Sequence, residues 1–184
     1  MEIPWLEALR AAEREAGRPM ILSLATVDDA GDPQVRSVVC RRVDDRGMLW
    51  IASDARSVKH RQLAMHPRAA AVAWFPATRE QFRFSFSGSV QILGGSSESS
   101  DRVELWRSLA PETRATFFWP DPGGLRTAGD DAFAKTSDVA DPPPSFELLV
   151  LHPTAVDHLV LTAHPHRRRR WTSEGQWALR ELNA

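Results

Sequence analysis

Residues 81–87 read Gln-Phe-Arg-Phe-Ser-Phe-Ser, and that alternation restricts the backbone more than any other feature of the chain. On a helix, Phe82, Phe84 and Phe86 would scatter around the axis. On a strand they form one apolar face, with Arg83, Ser85 and Ser87 on the other. A strand that is apolar on one face and polar on the other belongs to an antiparallel sheet with a single covered side. Val90 and Ile92 continue the pattern beyond Gly88, where a bulge or bend is expected in a long curved strand.

The segments around it have the same character. Residues 20–27 form a short apolar run. Asp28, Gly31 and Pro33 mark a turn, and residues 35–43 read as the returning strand. A second turn over 44–47 leads to a third strand at 48–53, which completes a meander. Further strands are expected at 69–75, 146–151, 156–162, 168–172 and 177–182. Helices are expected at the N-terminus up to Gly17, at 57–65 and at 101–109, and a polar turn over 94–100. Residues 119–145 are rich in Gly, Pro, Asp and Ser and read as one long loop. About eight strands in hairpin order, with two or three helices between them, predict a mainly β fold: a barrel with peripheral helices in a single domain over 1–184.

Composition removes several functional classes. The formal net charge is −1, which supplies no broad positive field for nucleic acid or an anionic membrane. The run Arg167–Arg170 is too short and too closely flanked by apolar strand residues to change that expectation. The single cysteine, Cys40, rules out an intramolecular disulfide framework and a cysteine-rich zinc site. None of the six histidines falls in a metal-ligand pattern, and no apolar run approaches the length of a membrane span. A cytoplasmic protein without metal is expected.

Four polar clusters remain. Arg36 and Arg41 lie an odd number of residues apart on one strand, so they point to opposite faces; each is a candidate for a ligand anion or a solvated surface charge. Ser53, Arg56, Ser57 and Lys59 join a strand to a helix start, where hydroxyls, cations and free backbone N–H groups together suit an anion. A simple helix cap with basic neighbours is the alternative. Gln81 at a strand start can bond the edge of a heterocycle. Arg167–Arg170 is the fourth.

In order, these pieces are Arg36-Ser37-Val38-Val39-Cys40-Arg41, then Ser53-Asp54-x-Arg56-Ser57-x-Lys59, Gln62-Leu63-x-x-x-Pro67, Trp74-Phe75, Thr78-Arg79-Glu80-Gln81, Trp106, Phe118-Trp119-Pro120-x-Pro122-Gly123 and Arg170-Trp171. The set resembles the pyridoxamine 5′-phosphate oxidase-related, FMN-binding proteins, most closely a subgroup named for a cyanobacterial Alr-type protein. The resemblance spans nearly the whole chain. It implies a split β-barrel homodimer with FMN at the subunit interface and a small-molecule substrate.

By that resemblance, Arg36, Ser57 and Lys59 hold the FMN phosphate. Ala52, Ser53 and the backbone of Val38, Val39 and Cys40, beside Ser37, lie along the ribityl chain and ring, and Arg41 takes the place of the family's lysine. Gln81 bonds the isoalloxazine edge. Arg170 and Trp119 approach from the last strands and the long loop, the latter across the dimer interface.

Val58 stands where the oxidases carry an arginine, and Arg56 is expected to compensate. The oxidases' substrate-phosphate set falls on Trp106, Ala110 and Arg114, and their C-terminal substrate motif on His166 and Arg168. The resemblance therefore implies an FMN-dependent oxidoreductase of unknown substrate. The alternatives are true pyridoxamine or pyridoxine 5′-phosphate oxidase activity, and a non-catalytic flavin- or haem-binding protein.

Overall fold

In a computed structural model, residues 3–17, 19–88, 90–94 and 99–184 are described. Most of the polar turn expected over 94–100 lies outside them. The chain folds as a mainly β protein whose ten described strands form one sheet.

Strands β1 (Ile21–Val27), β2 (Pro33–Val43) and β3 (Leu49–Asp54) form the expected meander. Helix α1 (Leu6–Ala16) precedes them, and α2 (Val58–Met65) follows. Next come β4 (Arg68–Phe75), β5 (Glu80–Ser87) and β6 (Val90–Leu93). Two short helices, α3 (Ser100–Ser108) and α4 (Pro111–Ala115), introduce the long loop, and β7 (Phe146–Leu151), β8 (Ala155–Val160), β9 (Arg167–Thr172) and β10 (Arg180–Leu182) finish the chain. The strand order is β10-β9-β8-β5-β4-β1-β2-β3-β7-β6, antiparallel at every pairing.

The long strand expected over 81–93 is in fact two. At Gly88 (φ +70°) the chain turns, so β5 pairs with β4 and β8 while β6 pairs with β7 at the far end of the sheet. The alternation of residues 81–87 does report one strand, with Phe82, Phe84 and Phe86 all buried. The last strand is shorter than expected because Gln176 and Trp177 both adopt positive φ, which breaks the ladder before Arg180. Within the loop, residues 116–118 and 130–132 form single 3₁₀ turns.

One apolar cluster joins side chains from opposite ends of this sheet, Leu49 and Leu149 with Val156 and Trp171, so the sheet must curl around it. Helix α1 plugs the enclosure with Trp5, Leu6, Leu9 and Ala12, while α2 contributes Leu63. A second cluster lies on the reverse side of β3 and β7. There Trp50, Phe146, Leu148 and Val150 meet Trp106, Leu109 and Phe117 from α3 and the segment after it. Strand β7 is buried along its whole length, which explains its nearly unbroken apolar sequence.

Gly47 allows Trp5 to close the plug. Its φ is +73°, and a Cβ built there would lie 2.7 Å from the Trp5 ring. Gly31, with φ +89°, has no heavy atom within 4 Å of the same position. In urea denaturation, Gly47→Ala should therefore cost about 2–4 kcal/mol, backbone strain and overpacking together, and Gly31→Ala about 1 kcal/mol from strain alone.

Candidate functional site

The curl brings Arg36, Ser57 and Lys59 together at the end of the enclosure that α2 covers. Arg36 lies on the inward face of β2. Its Nη1 donates to Thr26 Oγ1 (2.6 Å) and to the carbonyls of Leu24 and Gln34, and its Nη2 donates to Gln62 Oε1 (3.0 Å). Thr26 Oγ1 in turn donates to Gln62 Oε1 at 2.6 Å, which closes a triangle between β1, β2 and α2. The guanidinium is thereby fixed, with its Nε–H and one Nη2–H left uncommitted among the described residues.

Lys59 Nζ donates to Ser57 Oγ at 2.9 Å. Ser57 is the N-cap residue of α2, yet its hydroxyl caps no backbone N–H. The His60 N–H already donates to the Ser57 carbonyl at 3.0 Å, which leaves the Val58 and Lys59 amides of the first turn without an acceptor among the described residues.

Charge is the decisive property of this corner. Among the described residues, neither Arg36 nor Lys59 forms a salt bridge, although arginines elsewhere in the chain repeatedly do. Burial pushes the Lys59 ammonium below the usual lysine range, and the Arg36 charge pushes it the same way, against the pull of Glu147 and Asp54. Burial lowers Arg36 as well. Two desolvated, unpaired cations with a serine hydroxyl between helix and strand suit a phosphate dianion, with forked donors from Arg and a point charge from Lys.

Other expected residues lie elsewhere. Arg56 forks onto Asp54 (3.0 and 2.7 Å) and donates to the carbonyls of Trp119 and Phe117 and to Asp121. Its donors staple the long loop to β3, so it is not open beside Lys59 to replace the missing arginine at Val58. The same bonds hold Trp119 within its own chain, where its Nε1–H donates to Ala134 O.

Trp106 is fully buried and donates to Val139 O, and Arg114 donates to that same carbonyl. Trp106 is a core residue with no face open to a substrate. Cys40 is buried and Val38 packs on the core, while Ser37 and Arg41 are exposed; a bulge between Cys40 and Arg42 takes Arg41 out of the ladder. Ala52 packs against the second core, and the Ser53 hydroxyl is buried without a partner among the described residues.

Gln81, Arg168 and Arg170 share the outer face of the sheet on β5 and β9. Arg168 and Arg170 grip the buried Asp157 of β8 at 3.0 and 3.3 Å, joined by Arg83 at 3.4 Å. His166 and Arg168 line a cavity of about 590 Å³ with His164 and Glu181. No group of three or more metal-ligating side chains occurs among the described residues.

Sequence reasoning missed Thr26, Gln62, His60 and Glu147. Glu147 left a signal, as the one charge in the apolar run Phe-Glu-Leu-Leu-Val-Leu. Gln62 left only its place in one of the motif pieces, and Thr26 left none, since each is an ordinary residue until the fold brings them to Arg36.

A curled antiparallel sheet with an unpaired cationic corner has the architecture of a split barrel that could take an anionic ligand. Comparison with known proteins makes this specific. Residues 2–94 match the family model for the pyridoxamine 5′-phosphate oxidase FMN-binding domain. A pyridoxamine 5′-phosphate oxidase-related, FMN-binding protein from Nostoc punctiforme is 32% identical, with a TM-score of 0.89 over 98% of each chain. PhzG from Burkholderia lata has the same fold at 24% identity, TM-score 0.82, over 99% of this chain and 92% of its own.

Among curated proteins, a pyridoxine/pyridoxamine 5′-phosphate oxidase from Thermosynechococcus vestitus is 32% identical over 115 residues, which is 58% of this chain and 53% of the oxidase. This chain spans about half, or less, of the first such oxidases it matches. The chain belongs to the pyridoxamine 5′-phosphate oxidase-related, FMN-binding split-barrel family, and its cofactor is FMN.

Cys40 has no acid–base part in such a site, because burial pushes its thiol up to about 12. In native protein at pH 8 it should react with an aromatic disulfide reagent roughly a thousandfold more slowly than free cysteine, and at the ordinary rate once unfolded. Fast native reaction would show that β2 opens.

Proposed function

We propose that the chain is an FMN-dependent oxidoreductase that holds the flavin phosphate at Arg36, Ser57 and Lys59 and acts as a homodimer on a small organic substrate. The observation that carries this reading is the pair of half-buried cations, Arg36 and Lys59, fixed by neutral oxygens and in no salt bridge among the described residues. Once bound, FMN supplies hydride or electron transfer; the protein binds it, orients it and keeps water away.

The spacing of the sheet supports a second copy. Between Arg36 on β2 and Arg170 on β9 lie four strands, or about 24 Å along the sheet at ordinary strand spacing. Arg36 also faces inward while Gln81 and Arg170 face outward. If all three serve one flavin, Gln81 and Arg170 come from the partner. The outer face carries Ile21, Val35 and Trp74, each at least 45% exposed, which is suitable material for such an interface. The single reduced thiol and the flavin chemistry accord with the cytoplasm.

The substrate is left general for a physical reason. Where the oxidases keep a substrate-phosphate set, this chain has a core tryptophan at 106, Ala110, and an arginine bound to its own loop at 114. His166 is exposed and lines the cavity with Arg168, which Asp157 holds, and there a substrate could be met.

Purified protein reconstituted with FMN should keep flavin bands near about 370 and 450 nm through dialysis, because a built cofactor site retains its ligand. Replacing both Arg36 and Lys59 with alanine should weaken FMN binding by about 3–6 kcal/mol, the sum of two charge-assisted contacts. Unchanged affinity in that variant overturns the placement. Analytical ultracentrifugation should give a dimer, and Trp74→Glu should dissociate it.

A further inference from the structure

The phosphate corner has a neighbour that its cations do not explain. Glu147 of β7 lies directly across the ladder from Ser53 of β3, and its side chain is completely buried. One carboxylate oxygen is 2.5 Å from His60 Nδ1, and the other has no partner among the described residues. His60 follows Lys59 on α2, and the charge of Glu147 acts on the Lys59 ammonium.

Among the described residues, the groups facing this pair are few. Lys59 comes from α2, Ser53 and Asp54 from β3, and Arg36 from β2. From the end of β6 comes Gly94, where a Cβ would lie 3.2 Å from that of Glu147. Asp54 is already neutralised by Arg56. Glu147 is thus the carboxylate of this corner that no arginine holds. Its burial with a single bonded oxygen is costly in a strand whose other residues are apolar.

We infer that the His60–Glu147 pair is the proton-accepting half of the phosphate site: a dianion entering between Arg36 and Lys59 brings a proton from solvent onto this pair. With the site empty, the Glu147 charge offsets that of Lys59. An entering dianion sets two further negative charges against the same cations, and the carboxylate becomes a like charge close to it. A proton taken up by the pair raises its net charge by one and removes the conflict. The sign follows by linkage: uptake on binding makes binding tighter as pH falls and weaker as pH rises, by about tenfold per pH unit for one full proton.

The inference rests on the flavin-phosphate reading, and its test separates the two. Calorimetric titration of the full chain with FMN at pH 7, in buffers of different ionisation enthalpy, counts the protons taken up. Inorganic phosphate serves as a second probe. The wild-type protein should take up more protons than Glu147→Gln, and the slope of log Kd against pH should flatten in that variant. The ionisation of FMN itself cancels in the comparison. His60→Asn, which can keep a donor to Glu147, gives the same readout should Glu147→Gln not fold.

Equal proton numbers in wild type and both variants overturn the inference and leave FMN binding standing. Proton-coupled phosphate binding without FMN binding supports the inference and overturns the flavin reading. If neither probe binds, both fall.

Discussion

The β3–β7 ladder is the constraint on which the rest of the molecule depends. It is covered on both sides, by the enclosed core on one face and by α3, Phe117 and the long loop on the other. Side chains along these strands therefore alternate between two apolar interiors, and a polar residue survives there only at the ladder's end. Ser53, Asp54 and Glu147 all lie at that end, against the start of α2. The location of the anion corner follows from where the double burial stops. The loop is held by the same logic. Arg102, itself buried, gives its donors to the carbonyls of Pro142, Pro143 and Phe146 and lies over the Phe146 ring, so backbone acceptors facing the second core are not left unmet.

Around this frame the chain distributes its carboxylates selectively. Asp54 takes Arg56, Asp101 takes Arg42, and Asp157 takes Arg83, Arg168 and Arg170. Arg36 is held instead by neutral oxygens from Thr26, Gln62 and two carbonyls, and Lys59 by a serine. Neutral acceptors fix a cation's position without cancelling its charge, which is what an anion-binding site requires. The same residues satisfied by carboxylates would be better neutralised and worse at binding phosphate.

Local features were legible in the sequence and distant ones were not. The period-two run over 81–87 identified a buried strand face, and the turn clusters identified the β1–β2–β3 meander, because both are encoded between near neighbours. The passage of the chain at Gly88 from β5 to the opposite end of the sheet depends on pairings with β7 and β8, which no local pattern records. The same limit separates Arg56 from Lys59. They are three residues apart in one motif of suitable donors, yet one is drawn to Asp54 and the loop while the other stays open, and only the position of residues 117–121 decides which. Trp106 shows the converse: a conspicuous aromatic in a motif is here a core residue with one hydrogen bond to its own loop.

The sheet also separates the polar groups that the proposed dimer would reunite. A curled sheet covers its concave side with its own core, so cofactor-binding groups can stand only at its ends and on its convex side. In this chain the phosphate donors are at an end, facing inward, while Gln81 and the arginines around Asp157 are on the convex side several strands away. On the proposed reading, a flavin held at that end meets the outer strands of a partner and not those of its own protomer. In the proposed dimer, two copies packed through the apolar part of the convex face bring one protomer's end against the other's outer strands. A symmetric pair of this kind would complete twice the site that one chain leaves divided.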